Sequence, residues 1–278
     1  MNSVLLILVL LAAGALAACT GSDDAPADGE GGEKVVDIAS TIGVYKTDES
    51  KFYLRKSNSA GEADVVFSFG PSGQKLLPVA GDWEGDGKVS VGLYNPATGC
   101  WFLKNSNSSG AADITFAFGP KGQGLYPVVG DWDGDGKDSI GLYESAKGVW
   151  FLKNDSAAGN ADVTSMFGPP NSKWLPVAGD WDGDGKDGIG LYDPATSTWY
   201  LQDSNATGNA NVTFPFGAAN AGWLPVVGDW DADGKDTVGL YDAAKSTLFL
   251  KNSNAAGNAD MTFAFGPGDA RPVAGPWG

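Results

Sequence analysis

The chain has 278 residues, with 18 Lys plus Arg against 34 Asp plus Glu, a formal net charge of −16, and no histidine. So acidic a surface repels phosphate backbones and excludes nucleic acid as a natural partner. Without imidazole, the usual general base near neutral pH is missing from any catalytic scheme.

The first element in chain order is an apolar run from Val4 to Ala18 that ends in small residues. It is shorter than the roughly 20 residues a membrane-spanning helix needs, so it reads as a cleaved export signal over residues 1–18. Its ending, Leu16-Ala17-Ala18-Cys19, resembles the lipobox of bacterial lipoproteins, although Met1-Asn2-Ser3 lacks the usual Lys or Arg. That resemblance implies that Cys19 carries a lipid, the only membrane attachment expected. It makes the protein exported and anchored to the cell envelope, and Thr20, in place of the Asp of an inner-membrane retention signal, favours the outer membrane. Residues 19–34 are rich in Gly and Asp and poor in apolar side chains, as in a flexible linker. Two cysteines are too few for a disulfide framework, and Cys100 reads as a strand residue half covered by neighbours.

From residue 35 to 278 the chain repeats. Gly81, Gly130, Gly179 and Gly228 each open a Gly-Asp-Trp and are spaced by 49, and Tyr45, Tyr94, Tyr143, Tyr192 and Tyr241 keep the same step. Within one period, Leu125 to Phe167, four short apolar runs rich in Val, Ile, Thr and aromatics alternate with turn residues, which predicts four strands and no helix. Four strands per repeat at this period predict a β-propeller blade. The first unit begins at Thr41-Ile42-Gly43-Val44-Tyr45, a second strand, and Arg271-Pro272-Val273-Ala274-Gly275 supplies only a first strand. Joined, the two ends complete a fifth blade and close the ring. The expected fold is an all-β, five-bladed propeller of four antiparallel strands per blade.

Between first and second strands lies an acidic loop, G-D-W-D-G-D-G-K-D from Gly130. Carboxylates at positions 1, 3 and 5 (Asp131, Asp133, Asp135), a glycine at 6 and a backbone carbonyl at 7 (Lys137) suit Ca²⁺, a hard cation taking six to eight oxygens. The other copies offer Asp82, Glu84, Asp86 and Lys88; Asp180, Asp182, Asp184 and Lys186; and Asp229, Asp231, Asp233 and Lys235. Up to four ions are expected, the first loop being weakest and the closing blade having none. The alternative is an ion-free turn whose aspartates cap backbone amides.

These loops, alternating with Phe-Gly strand ends (Phe118-Gly119, Phe167-Gly168, Phe216-Gly217, Phe265-Gly266), resemble FG-GAP or VCBS-type repeats of integrin-α-like propellers. The resemblance implies a propeller whose first interstrand loops bind Ca²⁺. The usual carboxylate at position 9 is replaced by Ser90, Ser139, Gly188 and Thr237, and an acid stands instead at position 8 as Asp138, Asp187 and Asp236, with Val89 in the first loop. Either that acid bends into its own loop, or water fills the gap.

Trp83, Trp132, Trp181, Trp230 and Trp277 recur once per blade and read as packing; Trp101, Trp150 and Trp199 on the third strand read likewise. Trp174 and Trp223 break the pattern, standing where other repeats have Leu76, Leu125 and Ala270. They are expected near the rim opposite the acidic loops, either stacking on a sugar ring or covering a blade edge. The Asn/Ser-rich loops between third and fourth strands read as solvated turns or as readers of hydroxyl-rich ligands. The expected function is a non-catalytic, adhesin-like module that binds glycan or protein. The alternatives are a scaffold for an envelope complex and, less favoured, a glycosidase, because Glu62, Glu144, Asp155 and Asp269 fall in loops with no linking motif.

Overall fold

The structure, a computed structural model, describes residues 38–71 and 73–277; the export signal, Cys19 and the linker lie outside them. Twenty strands form five four-stranded sheets, with no helix among the described residues. The first blade holds β4 (Leu77–Gly81), β5 (Ser90–Asn95), β6 (Cys100–Leu103) and β7 (Ile114–Ala117). The second holds β8 (Tyr126–Gly130) to β11 (Val163–Met166), the third β12 (Leu175–Gly179) to β15 (Val212–Pro215), and the fourth β16 (Leu224–Gly228) to β19 (Met261–Ala264). The closing blade pairs β20 (Arg271–Gly275) with β1 (Thr41–Lys46), then β2 (Lys51–Leu54) and β3 (Val65–Ser68).

Closure follows the predicted register. Strand β20 runs antiparallel to β1 with Thr41 opposite Gly275 and Tyr45 opposite Arg271, matching the pairing of β4 with β5. The five first strands, β4, β8, β12, β16 and β20, neighbour one another in a complete circle. Each first strand is the inner edge of its own sheet, and the closing blade has its first strand like the other four. On the outer edge, Met166 N–H donates to Thr207 Oγ1 of the next blade (3.0 Å), and Ser68 N–H to Ser109 Oγ (3.3 Å).

The core lies between blades, so second strands such as Ser139–Glu144 are buried at every position. Each hydrophobic cluster draws on two adjacent blades; Trp83 and Trp101 of the first pack with Ile140 and Leu142 of the second. Third-strand Trp150 and Trp199 are wholly buried and donate their indole N–H to the carbonyls of Phe167 and Phe216 (3.1 Å each). The glycine after that phenylalanine has a positive φ, 97° at Gly168, and a Cβ there would overlap Leu191 of the next blade. Phe-Gly is thus a packing device: an indole acceptor followed by a residue thin enough for the next blade to approach. Cys100, at the start of β6, is buried, not half covered.

Candidate metal loops

In each acidic loop the first aspartate organises the backbone. Asp131 accepts from Gly134 and Asp135 N–H at Oδ1 (2.7 and 3.2 Å) and from Gly136 N–H at Oδ2 (2.8 Å); Asp180 repeats this arrangement. These are the capping bonds of the ion-free reading, and they also gather the other carboxylates. Oxygens of Asp131, Asp133 and Asp135 lie within 4.8 Å of one another, as do those of Asp180, Asp182 and Asp184 and those of Asp229, Asp231 and Asp233. Burial, then repulsion by Asp135, raises the Asp131 carboxyl above its ordinary range despite the capping bonds; burial followed by Asp233 and Asp229 does the same to Asp231.

The first loop is different. Lys88 Nζ sits 2.6 Å from Asp86, Glu84 accepts from Asn105 Nδ2 (2.8 Å), and Asp82, Glu84 and Asp86 do not form such a triad. In the other loops the lysine leans away: the Lys137, Lys186 and Lys235 stems lie over Gly85, Gly134 and Gly183 of the preceding loop, and none of the three makes an ion pair among the described residues. A Cβ at Gly134 would stand 2.8 Å from Lys186 Cε. The fourth loop carries Ala232 instead of glycine, at φ 59°. The corresponding position of the next blade is Ala39, which has no stem to clash with it.

The position-8 acids do not bend into their own loops. Asp138 accepts the Asp82 N–H of the preceding blade (2.7 Å) while its own N–H donates to the Asp82 carbonyl (2.8 Å). Asp187 and Asp236 clasp Asp131 and Asp180 in the same way. At the fourth interface Ser40 N–H donates to the Asp229 carbonyl (2.6 Å), and at the fifth Val89 packs on Gly275, beside Pro276, which has no N–H to offer. At the fifth interface the acid is thus missing where its donor is missing, whereas at the fourth Ser40 replaces it although Asp229 keeps its N–H. Ser139 and Thr237 at position 9 are buried and bond strand carbonyls, so they are not ligands either.

Asp138, Asp187 and Asp236 keep some exposed surface but are enclosed on their other sides. Burial, opposed by the Asp82 N–H, pushes Asp138 up to about 7; burial, opposed by the Asp180 N–H and reinforced by Asp138, does the same to Asp236. Asp187 is raised by burial, then by Asp236 and Asp138. Asp138 thus adds to the rise of both Asp187 and Asp236.

One acid near a triad escaped the sequence reading. Asp203, at the start of the third blade's Asn/Ser loop, is raised by burial and by repulsion from Asp182, Asp184 and Asp180. Its counterpart Asn105 bonds Glu84 at the same 21-residue offset, and the next counterpart, Asn154, holds a sealed Oδ1 without a partner. The recurring offset from loop position 3 was the available signal.

The Asn/Ser loops are pinned rather than free. Asn107, Asn205 and Asn254 donate to the position-8 carbonyls of Val89, Asp187 and Asp236 (2.9 Å each). Buried Lys104 and Lys251 donate to carbonyls inside the same loops, at Ala111 and Asn258. Trp174 and Trp223 are half-buried and stack on third-strand rings, Trp174 on Tyr200 and Trp223 on Phe249, with centroids 4.5 Å apart.

Fold and site together define a closed five-bladed β-propeller with an acidic hairpin loop on four blades, three of which converge three carboxylates. No protein-family model matches the chain, and no curated protein matches it in sequence.

Proposed function

We propose that the protein is a non-catalytic binding module of the bacterial envelope, a propeller of FG-GAP/VCBS type stabilised by Ca²⁺ in its second, third and fourth acidic loops. The observation that carries the reading is the set of three carboxylate triads with no lysine inserted, beside a first loop where Lys88 fills that role. Three clustered negative oxygens without a protein counter-charge fit a hard dication. The residues that would hold it are Asp131, Asp133 and Asp135 with the Lys137 carbonyl, and their counterparts in the next two loops. Bound there, the ion would neutralise repulsion and fix each first hairpin.

Binding is favoured over hydrolysis because glycoside cleavage needs two non-equivalent carboxylates across a cleft, whereas the loop acids are equivalent by repeat. Glu144 is paired with Lys147 (3.0 Å) and Asp155 with Lys153. Near-equal blades also suit multivalent attachment. The envelope anchor rests on the lipobox resemblance.

The test is a glycan array beside a pull-down from envelope extract, each with and without Ca²⁺, and the intact mass of membrane-extracted protein. Retention of a glycan or protein that weakens in chelator, with the mass of a lipid on Cys19, is expected. Turnover of a glycan would overturn the non-catalytic reading, and an unlipidated mature chain would overturn the anchor.

A further inference from the structure

We propose that the cleft between the second and third blades is a binding site for a neutral sugar ring, built around Trp174, Tyr200 and Asn209. The inference rests on the binding-module reading and names its ligand and place.

The cleft has a volume of about 330 Å³, at the small end of the roughly 300–1,000 Å³ of ligand pockets. Its walls come from Met166 at the end of β11, the Trp174 linker, Tyr200 on the third strand and Gly208 to Ala210 of the Asn/Ser loop. Met166 is 58% exposed, unusual for a methionine in a repeat that buries its apolar residues thoroughly. Trp174 stacks face to face on Tyr200, with rings tilted by only 10° and centroids 4.5 Å apart, so each covers one face of the other and a ligand would meet the remaining ring faces and their polar edges. Neither the Trp174 indole N–H nor the Tyr200 hydroxyl hydrogen-bonds within the described residues, and neither is sealed from solvent.

The molecule supplies its own comparison. The equivalent cleft ahead of the first blade has the same form, about 270 Å³, but Leu76 stands for Trp174, Phe102 for Tyr200 and Ala111 for Asn209. All three differences add a hydrogen-bonding group to an apolar frame, and two keep or enlarge the flat ring surface. Packing alone is satisfied by the first cleft's residues, so it gives no reason for the changes. The other blades have at most two of the three: Phe151 with Asn160, Phe249 with Trp223 and Asn258, and Tyr53, whose hydroxyl is committed to Glu49 (2.8 Å).

The chemistry selects the ligand. A pyranose presents C–H groups on its faces and hydroxyls around its edge, and a stacked aromatic pair edged by an indole N–H, a phenol and an amide matches both. No Asp, Glu, Lys or Arg lines the cleft, so a charged ligand would find no partner there. An anion would also meet the repulsion of a chain of net charge −16.

The experiment starts from an array of neutral glycans and measures the affinity of the retained sugar, by calorimetry or saturation-transfer NMR, on the full chain with Ca²⁺. The variant Trp174→Leu, Tyr200→Phe, Asn209→Ala rebuilds the first cleft's side chains at the third-blade position. Its melting temperature should stay within a few degrees of wild type while affinity falls at least tenfold. If the triple variant loses its melting transition, Tyr200→Phe and Asn209→Ala singly carry the test, each with a severalfold loss expected. Unchanged affinity in the variant overturns the cleft and leaves the binding-module reading standing. A protein partner captured without any retained glycan also overturns the cleft alone, and failure to bind either overturns both.

Discussion

Deletion of residues 271–278 should abolish the cooperative melting transition and leave a chain that self-associates on size-exclusion chromatography. These residues supply the one strand that completes the closing blade from the C-terminal end. Strand β20 supplies the ladder from Thr41–Gly275 to Tyr45–Arg271 and lies between β16 and β4. With it go buried Val273 and Trp277, the latter packed against Gly43. Loss of one buried Trp costs about 3–5 kcal/mol and of a Val about 1.5–3, against a total stability of about 5–15 kcal/mol. The newly exposed β1 edge offers unpaired N–H and C=O groups to other copies. Trp277→Ala in the full chain isolates one component and should lower stability by about 3–5 kcal/mol in a denaturant titration. A truncated chain that melts within a few degrees of the full one would show that the ring does not depend on its closing strand.

The second large effect is a stability that falls as pH rises, measured in chelator. Asp138 and Asp236 are pushed up to about 7 and Asp187 is raised with them. An acid whose folded pKa lies above its unfolded value holds its proton more tightly in the folded state. Its contribution is therefore fully present below about pH 4, lost as pH rises toward 7, and constant above. Asp131, Asp180, Asp203 and Asp231, also raised, act in the same direction. Asp86 and Asp113 are lowered, by Lys88 and by the Asn105 N–H respectively, and oppose this only below about pH 4. One step in pKa is worth about 1.4 kcal/mol, so the effect is on the order of several kcal/mol after discounting for residual solvent contact. The calcium-free protein should melt on the order of 10 °C lower at pH 8 than at pH 5. The double variant Asp138→Asn, Asp236→Asn keeps an acceptor for the clasped N–H groups and should flatten the profile. An unchanged slope in that variant would remove these acids as its cause.

Blade number, strand order and closure were all legible because they depend on spacing and on strand-forming residues at fixed offsets, both of which a repeat displays several times over. The role of Asp138 was not legible from its own loop, where a carboxylate near positions 1, 3 and 5 reads as a ligand. Its partner is the Asp82 amide, 56 residues away on another blade. The trace in the sequence is an exception matched by an exception: Val89 against Pro276, and likewise Ala232 against Ala39. The Asn/Ser loops showed only part of their role, because most of their residues are exposed but a few hold the backbone. Asn107 and its counterparts look solvated in composition but bond the backbone of the adjacent second strand. Trp174 was singled out correctly as irregular, but its stacking on Tyr200 depends on how the linker folds over the third strand, which spacing does not encode.

The most direct test of the account is calorimetric titration of chelator-stripped protein with Ca²⁺, paired with its melting temperature. Three ions should bind, the transition should rise by several degrees, and Asp203→Asn should weaken one of the three sites about tenfold, because affinity in oxygen cages follows the count of charged ligands. No binding heat, with a melting temperature indifferent to millimolar Ca²⁺ and to chelator, would contradict it and leave the acidic loops as ion-free turns.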